Sequence, residues 1–490
     1  MLKFTGHPLL DVGVATIMAF SNKSHPEQVD KADLQAVAEY MSRNYKVNPL
    51  RSFLTTVFMN SGFTQPAFFS DPQKQEIYAH RVLNSFNEDT SKLDEVDVFL
   101  GIPPSNISYD VYGKLEPGRA FRQHIPLTTG ENVINFHPSG DAGLPVSGLS
   151  MLAIHAFPLG SAKCAGKLLV VHSDNSKIML HFASRFLDNN RRSIQLAQQQ
   201  ESNKLVDSHL ILRTLLVDTL LKADQLKADY YDAQEPISIT AYHLSNGQNP
   251  SLDIYHLPME VIDFLHLMKE ARYAQYWQPV VQRAWQTAPR KNQKKDTGDF
   301  IPRKNYLYED LFRLPENAST FIRIYFLRSA LRWAREEGDP RKEYSLNQEN
   351  HLVSWKITEV FLERIMNMDE ERIKHIRELG DGLADYVNTQ NDRRFFTSFY
   401  TETRYEYFRT ALIKANLSHT KRGHPPIVTL DPYLQTFEET EDFARSDWKL
   451  ARDLVFIRMV ERLHEAGWLG KNKDSLPDQA VESEQSEETE

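Results

Sequence analysis

The sequence predicts a predominantly helical α+β protein in which a mixed N-terminal domain precedes an antiparallel bundle of helices. At 490 residues the chain is too long for one hydrophobic core, so two or three domains are expected. Strand-like patterns occur in the first half, whereas the pattern from Tyr306 onward is almost entirely helical. We therefore predict a mixed domain over residues 1–350, a helical bundle over residues 351–470 and a disordered acidic tail over residues 471–490.

The predicted elements of the first 235 residues are mainly helices. The first helix has Pro8 in its opening turn, a position that suits proline. A loop rich in glycine, proline and asparagine spans residues 94–148, and Lys167–Val171 has the pattern of a buried strand. The other predicted helices are Lys31–Tyr45, Pro49–Met59, Pro72–Asn87, Gly148–Phe157, Lys177–Gln199 and Lys204–Lys227.

The clearest local signal is a β-hairpin within residues 236–258. Two runs with partial alternation, Ile237–His243 and Leu252–His256, flank the polar segment Ser245–Pro250. That segment contains Asn246 and Gly247, which tolerate the positive φ that tight hairpin turns need.

Helices follow the hairpin, interrupted by one basic connector, Ala288–Lys304, which contains Pro289 and Pro302. The predicted helices are Met259–Trp277, Pro279–Thr287, Ser319–Glu337, His351–Met366, Asp369–Asn388, Asp392–Asn416 and Phe443–Ala466.

Composition narrows the class of protein. Hydrophobic residues make up 41% and charged residues 25%, which is typical of a folded chain, and no window of 18 apolar residues predicts a membrane span. Asp11 interrupts the apolar start of the chain, so we interpret it as a first helix and not as a signal peptide. The single cysteine, Cys164, permits no intrachain disulfide and no Cys-based zinc site, and it fits a reducing, cytoplasmic location.

Motifs for catalysis are weak, and we expect no enzymatic activity, cofactor or metal. His172, Ser173 and Asp174 supply the residue types of a hydrolase triad, but consecutive residues on a strand point to alternating faces. The segment Gly160–Lys167 resembles a phosphate loop, yet it has five residues between its glycines and Leu168 in place of Ser or Thr. A turn leading into a strand is the favoured interpretation of that segment.

Charge is unevenly distributed along the chain. The net charge is −9, and residues 471–490 contain seven acidic residues and two lysines. Residues 281–306 contain seven Lys or Arg against two Asp, a density that suits contact with phosphates, although a solvated loop is the alternative. A second basic patch consists of Arg191, Arg192 and Lys204. It is either a nucleic-acid contact or a solvated helix face. The predicted phosphate-contacting residues are Arg290, Lys291, Lys294, Lys295, Arg303 and Lys304.

Five parts of the sequence carry a family resemblance: Phe4–Gly13, Phe58–Phe63, Gly143–Ser147 with Pro158–Gly160, the hairpin Pro236–Pro258, and Arg372–Val387. In this order they resemble the large subunit of type I-B CRISPR Cascade complexes. They cover most of the chain, and their order carries the resemblance. Many relatives contain paired Cys-x-x-Cys motifs, which this chain lacks.

The resemblance implies a non-catalytic subunit of an RNA-guided complex. It implies that the chain docks on Cascade backbone subunits at the 5′ end of the CRISPR RNA and binds target double-stranded DNA at the protospacer-adjacent motif. It further implies help in strand separation and R-loop formation, contact of the helical domain with the displaced strand, and recruitment of the helicase-nuclease. An internal translation start at Met366 or Met368 would supply a small subunit. The alternative function is a helical protein–protein scaffold without direct nucleic-acid binding.

Short amide and hydroxyl side chains on the loops of the resembling segments are the candidates for reading base edges. For each of them the alternative role is a turn residue that bonds its own backbone. Strand separation also needs a wedge, for which Phe63 or Phe68–Phe69 are candidates. The candidate base-reading residues are Asn22, Lys23, Asn60, Ser61, Asn132, Asn135 and His137.

Overall fold

The computed structural model describes residues 1–91, 95–131, 133, 140–222, 238–287, 302–334, 336–440, 443–472 and 480–481. Within them the fold is predominantly helical α+β, as predicted. The described residues form two units, which divide after Met259, with Pro302 grouped in the first. No helix in these ranges combines the length and the apolar character needed to cross a lipid bilayer.

Within the described ranges, the first unit contains seven α-helices and six β-strands. Its helices are α1 Pro8–Phe20, α2 Lys31–Tyr45, α3 Leu50–Leu54, α4 Pro72–Leu83, α5 Gly148–Ala156, α6 Ser176–Gln199 and α7 Leu212–Leu221. Its strands are β1 Arg119–Ala120, β2 Leu144–Pro145, β3 Ala162–Cys164, β4 Lys167–Ser173, β5 Ile239–Ser245 and β6 Ser251–Leu257.

Helix α1 forms the centre of this unit, because every residue from Leu9 to Met18 is buried. It packs against α5, α6 and β4. A methyl group at Gly13 would overlap the carbonyl oxygen of Ala153, so glycine allows α1 and α5 to approach closely. The buried Asp11 accepts hydrogen bonds from the backbone N–H groups of Thr5 and Gly6, each at 2.8 Å, which ties down the turn before the helix.

Strands β3 to β6 form one antiparallel sheet in the order β3-β4-β5-β6. The segment resembling a phosphate loop is the β3–β4 turn, as predicted, and Ala165 and Gly166 have φ values of 49° and 75°. Positive φ at both central residues is the requirement of a type I′ hairpin turn.

The predicted hairpin is β5–β6, with Ser245 opposite Ser251 at its end. Its turn chemistry was predicted wrongly, since neither Asn246 nor Gly247 has positive φ. The loop spans five residues, Asn246–Pro250, and so does not need the left-handed conformation of a two-residue turn. Asn246 is fully buried and bonds other loops instead.

The second unit is mainly helical. Its helices are α8 Met259–Leu267, α9 Ala271–Arg283, α10 Tyr306–Leu311, α11 Ala318–Phe321 continued by a π-helix over Ile322–Phe326, α12 Leu346–Glu349, α13 Trp355–Arg364, α14 Glu370–Gln390, α15 Arg393–Thr401, α16 Tyr405–Thr420, α17 Leu430–Phe437, α18 Trp448–Glu465 and α19 Trp468–Lys471. Its strands are β7 Ala330–Leu331, β8 Glu438–Thr440, β9 Phe443–Ala444 and β10 Ala480–Val481.

The division after Met259 differs from the boundary predicted near residue 350. Phe361 of α13 lies 5.6 Å from Phe264 of α8 and 5.2 Å from Phe321 of α11, measured between ring centroids. Helices on both sides of residue 350 therefore share one aromatic core. Later in the unit, α14 packs against α17 and α18.

Several predicted helices are shorter or broken. The predicted helix Lys204–Lys227 is reduced to α7 within the described residues, and Asp392–Asn416 divides into α15 and α16. Pro279 was predicted to begin a helix but lies inside α9 on its exposed side, where water can satisfy the carbonyl it frees. In the predicted tail, β10 pairs in parallel with β7, and residues 473–479 and 482–490 lie outside the described residues.

Candidate nucleic-acid interface

Asn22 and Lys23 form the turn that ends α1. The backbone N–H of Lys23 donates to the carbonyl of Met18 at 2.9 Å, and Asn22 has a φ of 55°. This is the common arrangement in which a left-handed residue closes a helix. The Asn22 side chain is exposed, whereas the Lys23 ammonium lies 3.5 Å from the Asp33 carboxylate. Asn22 thus remains open to a ligand while serving first as a helix terminator.

Asn60 and Ser61 differ in accessibility although they are adjacent. Asn60 is exposed with a φ of 63°. Ser61 is buried, its hydroxyl lies 3.2 Å from that of Thr64, and the Thr64 hydroxyl donates to the carbonyl of Phe58 at 2.6 Å. In this conformation Ser61 cannot reach a base edge, because its hydroxyl belongs to the internal bonds of the turn.

The candidate wedge residues also differ in their exposure to solvent. Phe63 is fully buried and packs edge-on against Tyr45 and Tyr78, which excludes it as an inserting side chain in this conformation. Phe69 is 39% exposed, and the guanidinium of Arg51 lies 4.3 Å from its ring centroid. Phe68 is half-buried, with its ring centroid 6.2 Å from that of Tyr78, so Phe69 is the most exposed member of the predicted set.

Seven of the predicted contact residues lie outside the described residues, and their roles stay predictions. They are Asn132, Asn135, His137, Arg290, Lys291, Lys294 and Lys295.

Arg303 and Lys304 end the predicted basic segment, but they are not equivalent. Lys304 forms an ion pair with Glu336 and lies over the ring of Tyr306, whose hydroxyl donates to the same carboxylate at 2.8 Å. The hydrogen bond from Lys304 is the largest cause that lowers the pKa of Glu336. Lys304 is therefore engaged in an ion pair within the protein, and its role as a phosphate contact stays a prediction. Arg303 is exposed, with its guanidinium 5.3 Å from the Trp285 ring centroid.

The residue types of a hydrolase triad are not brought together. His172 Nε2 lies 3.1 Å from a carboxylate oxygen of Asp11, whereas Asp174 accepts a hydrogen bond from the Ser238 hydroxyl at 2.7 Å. His172 and Asp11 therefore link β4 to the start of α1. Among the described residues, no group of three or more His, Cys, Asp or Glu is arranged to hold a metal ion.

Helices α15 and α16 together form an open surface in the second unit. Their apolar faces meet in the core, where Phe399 and Phe408 have ring centroids 5.1 Å apart. Their outer faces border an open groove of about 570 Å³. The groove is lined by Tyr386, Asp392, Arg394, Phe395, Ser398, Glu402, Tyr407, Thr410, Ala411, Lys414, Ala415 and Ser418.

The groove has two acidic residues, Asp392 and Glu402, and Glu402 accepts from the backbone N–H of Arg404 at 3.4 Å. Asp392 caps α15 by accepting from the backbone N–H of Phe395 at 3.0 Å, and it also accepts from the Tyr386 hydroxyl at 2.8 Å. Burial, together with this second bond, raises the pKa of Tyr386 to about 12. The exposed Arg394 and Lys414, in contrast, make no ion pair or hydrogen bond through their side chains with any described residue. The groove therefore presents two cations to solvent, and both of its carboxylates accept hydrogen bonds from neutral donors within the protein.

An exposed aromatic ring accompanies these cations. Tyr407 is 51% exposed, and the guanidinium of Arg404 lies 4.8 Å from its ring centroid. Tyr407 and Lys414 are seven residues apart on α16 and therefore share one face, roughly 10 Å apart along the axis. An open ring beside unpaired cations is the combination with which proteins bind single-stranded nucleic acid, since bases stack and phosphates are neutralised.

Sequence reasoning missed this surface. The available signal was charge, because residues 391–424 contain seven Lys or Arg against three Asp or Glu. That imbalance is spread over two helices and a turn, and only the packing of α15 on α16 brings Arg394, Tyr407 and Lys414 to one groove.

No protein-family model matches the chain, and no curated protein matches it significantly.

Proposed function

We propose that this protein is the non-catalytic large subunit of a type I-B CRISPR Cascade, which binds target DNA beside the guide RNA and helps to separate its strands. The order of the resembling segments along the chain supports the family. The observation that carries nucleic-acid binding is the α15–α16 groove, where the exposed ring of Tyr407 lies in the same groove as the unpaired cations of Arg394 and Lys414.

In this proposal the two units have different nucleic-acid partners. The α15–α16 groove holds the displaced single strand, because its open ring can stack with any base and needs no sequence. The exposed Asn22 and Asn60 of the first unit remain candidates for the duplex at the protospacer-adjacent motif, where short amides can reach base edges. The acidic total charge is compatible with this role because local patches govern contact with a polyanion.

A specific observation also favours protein partners. On one face of the β5–β6 hairpin, Leu252 and Ile254 are 45% and 49% exposed, beside the exposed Leu127. With Tyr242 and Phe99, the residues Leu127 and Leu252 line an apolar groove of about 290 Å³. Such a surface suits docking on the backbone subunits, and it is also what a scaffold without nucleic-acid binding would present.

Purification of the tagged protein from its native cells tests the assignment. We expect it to copurify with the backbone subunits and a short RNA. Binding of duplex target by that complex should weaken steeply with salt, and replacing Lys291, Lys294 and Lys295 together by alanine should make the slope shallower. The exposed Arg332, replaced by glutamine, is the control and should leave the slope unchanged. A protein that emerges alone, without RNA, overturns the proposal.

The small subunit is proposed to arise from the same gene by internal translation. Met366 and Met368 lie between α13 and α14, so a start at Met366 would yield 125 residues that begin just before α14. That product would retain the packing of α14 on α17 and α18. Immunoblotting of a C-terminally tagged chain should show this short band, and replacing both methionines should remove it. Detection of the full-length band alone contradicts the internal start.

A further inference from the structure

A second cationic cavity lies in the first unit, where the outer face of α6 meets residues 206–210 and the start of α7. Its volume is about 380 Å³, within the range of pockets that hold small ligands. Its polar lining comes from Lys163, Arg185, Asn189, Asn190, Arg192, Ser193, Asp207, Ser208, His209, Asp218, Thr219 and Lys222.

The two carboxylates of this cavity are each neutralised by a lysine. The Lys163 ammonium lies 3.1 Å from Asp207 and also donates to the carbonyl of Leu205 at 2.7 Å. The Lys222 ammonium lies 2.6 Å from Asp218, one turn earlier on α7. Neither acid is therefore available to balance the other cations of the lining.

Two guanidinium groups of the lining are paired with neither of these carboxylates. Arg185 and Arg192 lie seven residues apart on α6, so both project from the same face of the helix. Both are exposed, and within the described part of the chain neither forms an ion pair or a hydrogen bond through its side chain. A guanidinium binds phosphate oxygens through two parallel N–H donors, and two such groups on one wall favour a phosphate-bearing ligand.

The remainder of the cavity suits a ring system. Phe186 and Leu215 are buried against it, and Val206 is 59% exposed at its edge. Asn190 is held rigidly, because its amide donates to the carbonyls of Leu159 and Ser161 at 2.8 and 2.7 Å. The exposed Asn189, one residue earlier, leaves its amide available to the edge of a base.

We propose that this cavity, here called the α6 pocket, binds one phosphate-bearing nucleotide, with its phosphate on Arg185 and Arg192 and its base toward Phe186 and Val206. The ligand is either a free nucleotide or one unit of a strand. All residues of the α6 pocket belong to the first unit, so it is independent of the α15–α16 groove. It also changes the interpretation of the patch predicted around Arg191, since the Arg191 guanidinium covers the ring of Phe20 at 4.3 Å whereas Arg192 faces the pocket.

Isothermal titration of the full-length protein tests the α6 pocket with three probes: AMP, adenosine and a 5′-phosphorylated tri-adenylate RNA. AMP should bind at least tenfold more tightly than adenosine, and Arg185→Gln and Arg192→Gln should each weaken AMP binding about tenfold or more. Arg332→Gln, an exposed arginine elsewhere, is the matched control. An unchanged thermal midpoint shows that the variants fold.

The outcomes separate the two sources of the ligand. AMP binding that depends on both arginines identifies a free-nucleotide site. Binding of the trinucleotide alone, with the same dependence, identifies a position for a strand. If neither AMP nor the trinucleotide binds, or if binding is the same in the wild type and in both variants, the α6 pocket is not a nucleotide site. Failure of this test leaves single-strand binding by the α15–α16 groove unaffected.

Discussion

Asn246 and Arg122 are joined by two hydrogen bonds, one donated by each residue. Arg122 Nε donates to Asn246 Oδ1 at 3.1 Å, and Asn246 Nδ2 donates to the Arg122 carbonyl at 3.2 Å. The same amide donates to the Val57 carbonyl at 2.9 Å and accepts from the Leu127 backbone N–H at 3.1 Å. Asn246 therefore joins the hairpin turn to the loop that contains Val57 and to the loop that contains Arg122 and Leu127.

Replacing Asn246 by alanine should destabilise the first unit by about 3 kcal/mol or more, because several buried polar groups would lose their partner. Urea unfolding measures the change in free energy. The matched control is Asn249→Ala, an exposed asparagine of the same loop, for which we expect a change within about 0.5 kcal/mol. Equal stabilities of the two variants would show that the Asn246 bonds contribute nothing.

Gly13→Ala should prevent the close approach of α1 and α5, because the added methyl overlaps the Ala153 carbonyl. We expect a loss of several kcal/mol, or an insoluble protein, since overpacking at a helix contact must move backbone. Gly130→Ala, where no atom lies within 4 Å of the new methyl, is the control and should change the thermal midpoint little. A normal midpoint for Gly13→Ala would contradict the packing described.

Two buried histidines should make stability depend on pH. Burial lowers the pKa of His124 to about 4 and that of His155 to about 3. Between pH 6.5 and about 4 the unfolded chain therefore binds protons that the folded chain does not. Each histidine should then cost about 1.4 kcal/mol of unfolding free energy per pH unit as the pH falls below 6.5.

Urea unfolding at pH 7.5, 6 and 5 measures this dependence. His124 accepts from the Phe121 backbone N–H and its other ring nitrogen lies 3.2 Å from the Tyr109 carbonyl, so it is held in one neutral form. His124→Gln should remove the contribution of one proton, about 1.4 kcal/mol per pH unit, from the slope of unfolding free energy against pH. Replacing the exposed His25 by glutamine should leave that slope unchanged. A stability that is flat from pH 7.5 to 5 is incompatible with both histidines being held neutral.

Tyr407→Ala should weaken binding of a single-stranded DNA oligonucleotide about tenfold, because stacking contributes roughly 1–3 kcal/mol per base. Tyr407→Phe retains the ring and should bind nearly as well as the wild type. Fluorescence anisotropy with the full-length protein measures both affinities. If Tyr407→Phe and Tyr407→Ala bind equally, stacking has no part in the contact.

The cations of the same groove should appear in the salt dependence. Replacing Arg394 and Lys414 together by glutamine should reduce the slope of log K against log salt by about 1.4, which is about 0.7 for each phosphate contact removed from a single strand. Arg332→Gln is again the control. A lower affinity with an unchanged slope would mean that these two side chains do not contact phosphates.

Much of the secondary structure was predictable, because hydrophobic periodicity and end signals are local. Helix α2 has the predicted limits, Lys31 and Tyr45, and Asp30 and Asp33 close its first turn as a capping box. The hairpin and the β3–β4 turn were likewise predicted from neighbouring residues. Contacts between distant residues could not be predicted in this way, as for Lys304, whose partner Glu336 is 32 residues away.

Local sequence patterns suffice to predict the helical character of the chain, the position of its hairpin and the uneven distribution of its charge, since each depends on residues a few positions apart. The tertiary structure, in contrast, selects which polar groups are free. It buries Ser61, pairs Lys304 with Glu336, and brings the Asn246 amide to the Val57 carbonyl, 189 residues away. It leaves Arg394, Tyr407 and Lys414 open to solvent. A polar side chain can bind a ligand only when folding has not already satisfied it, and that is settled by which distant segments meet.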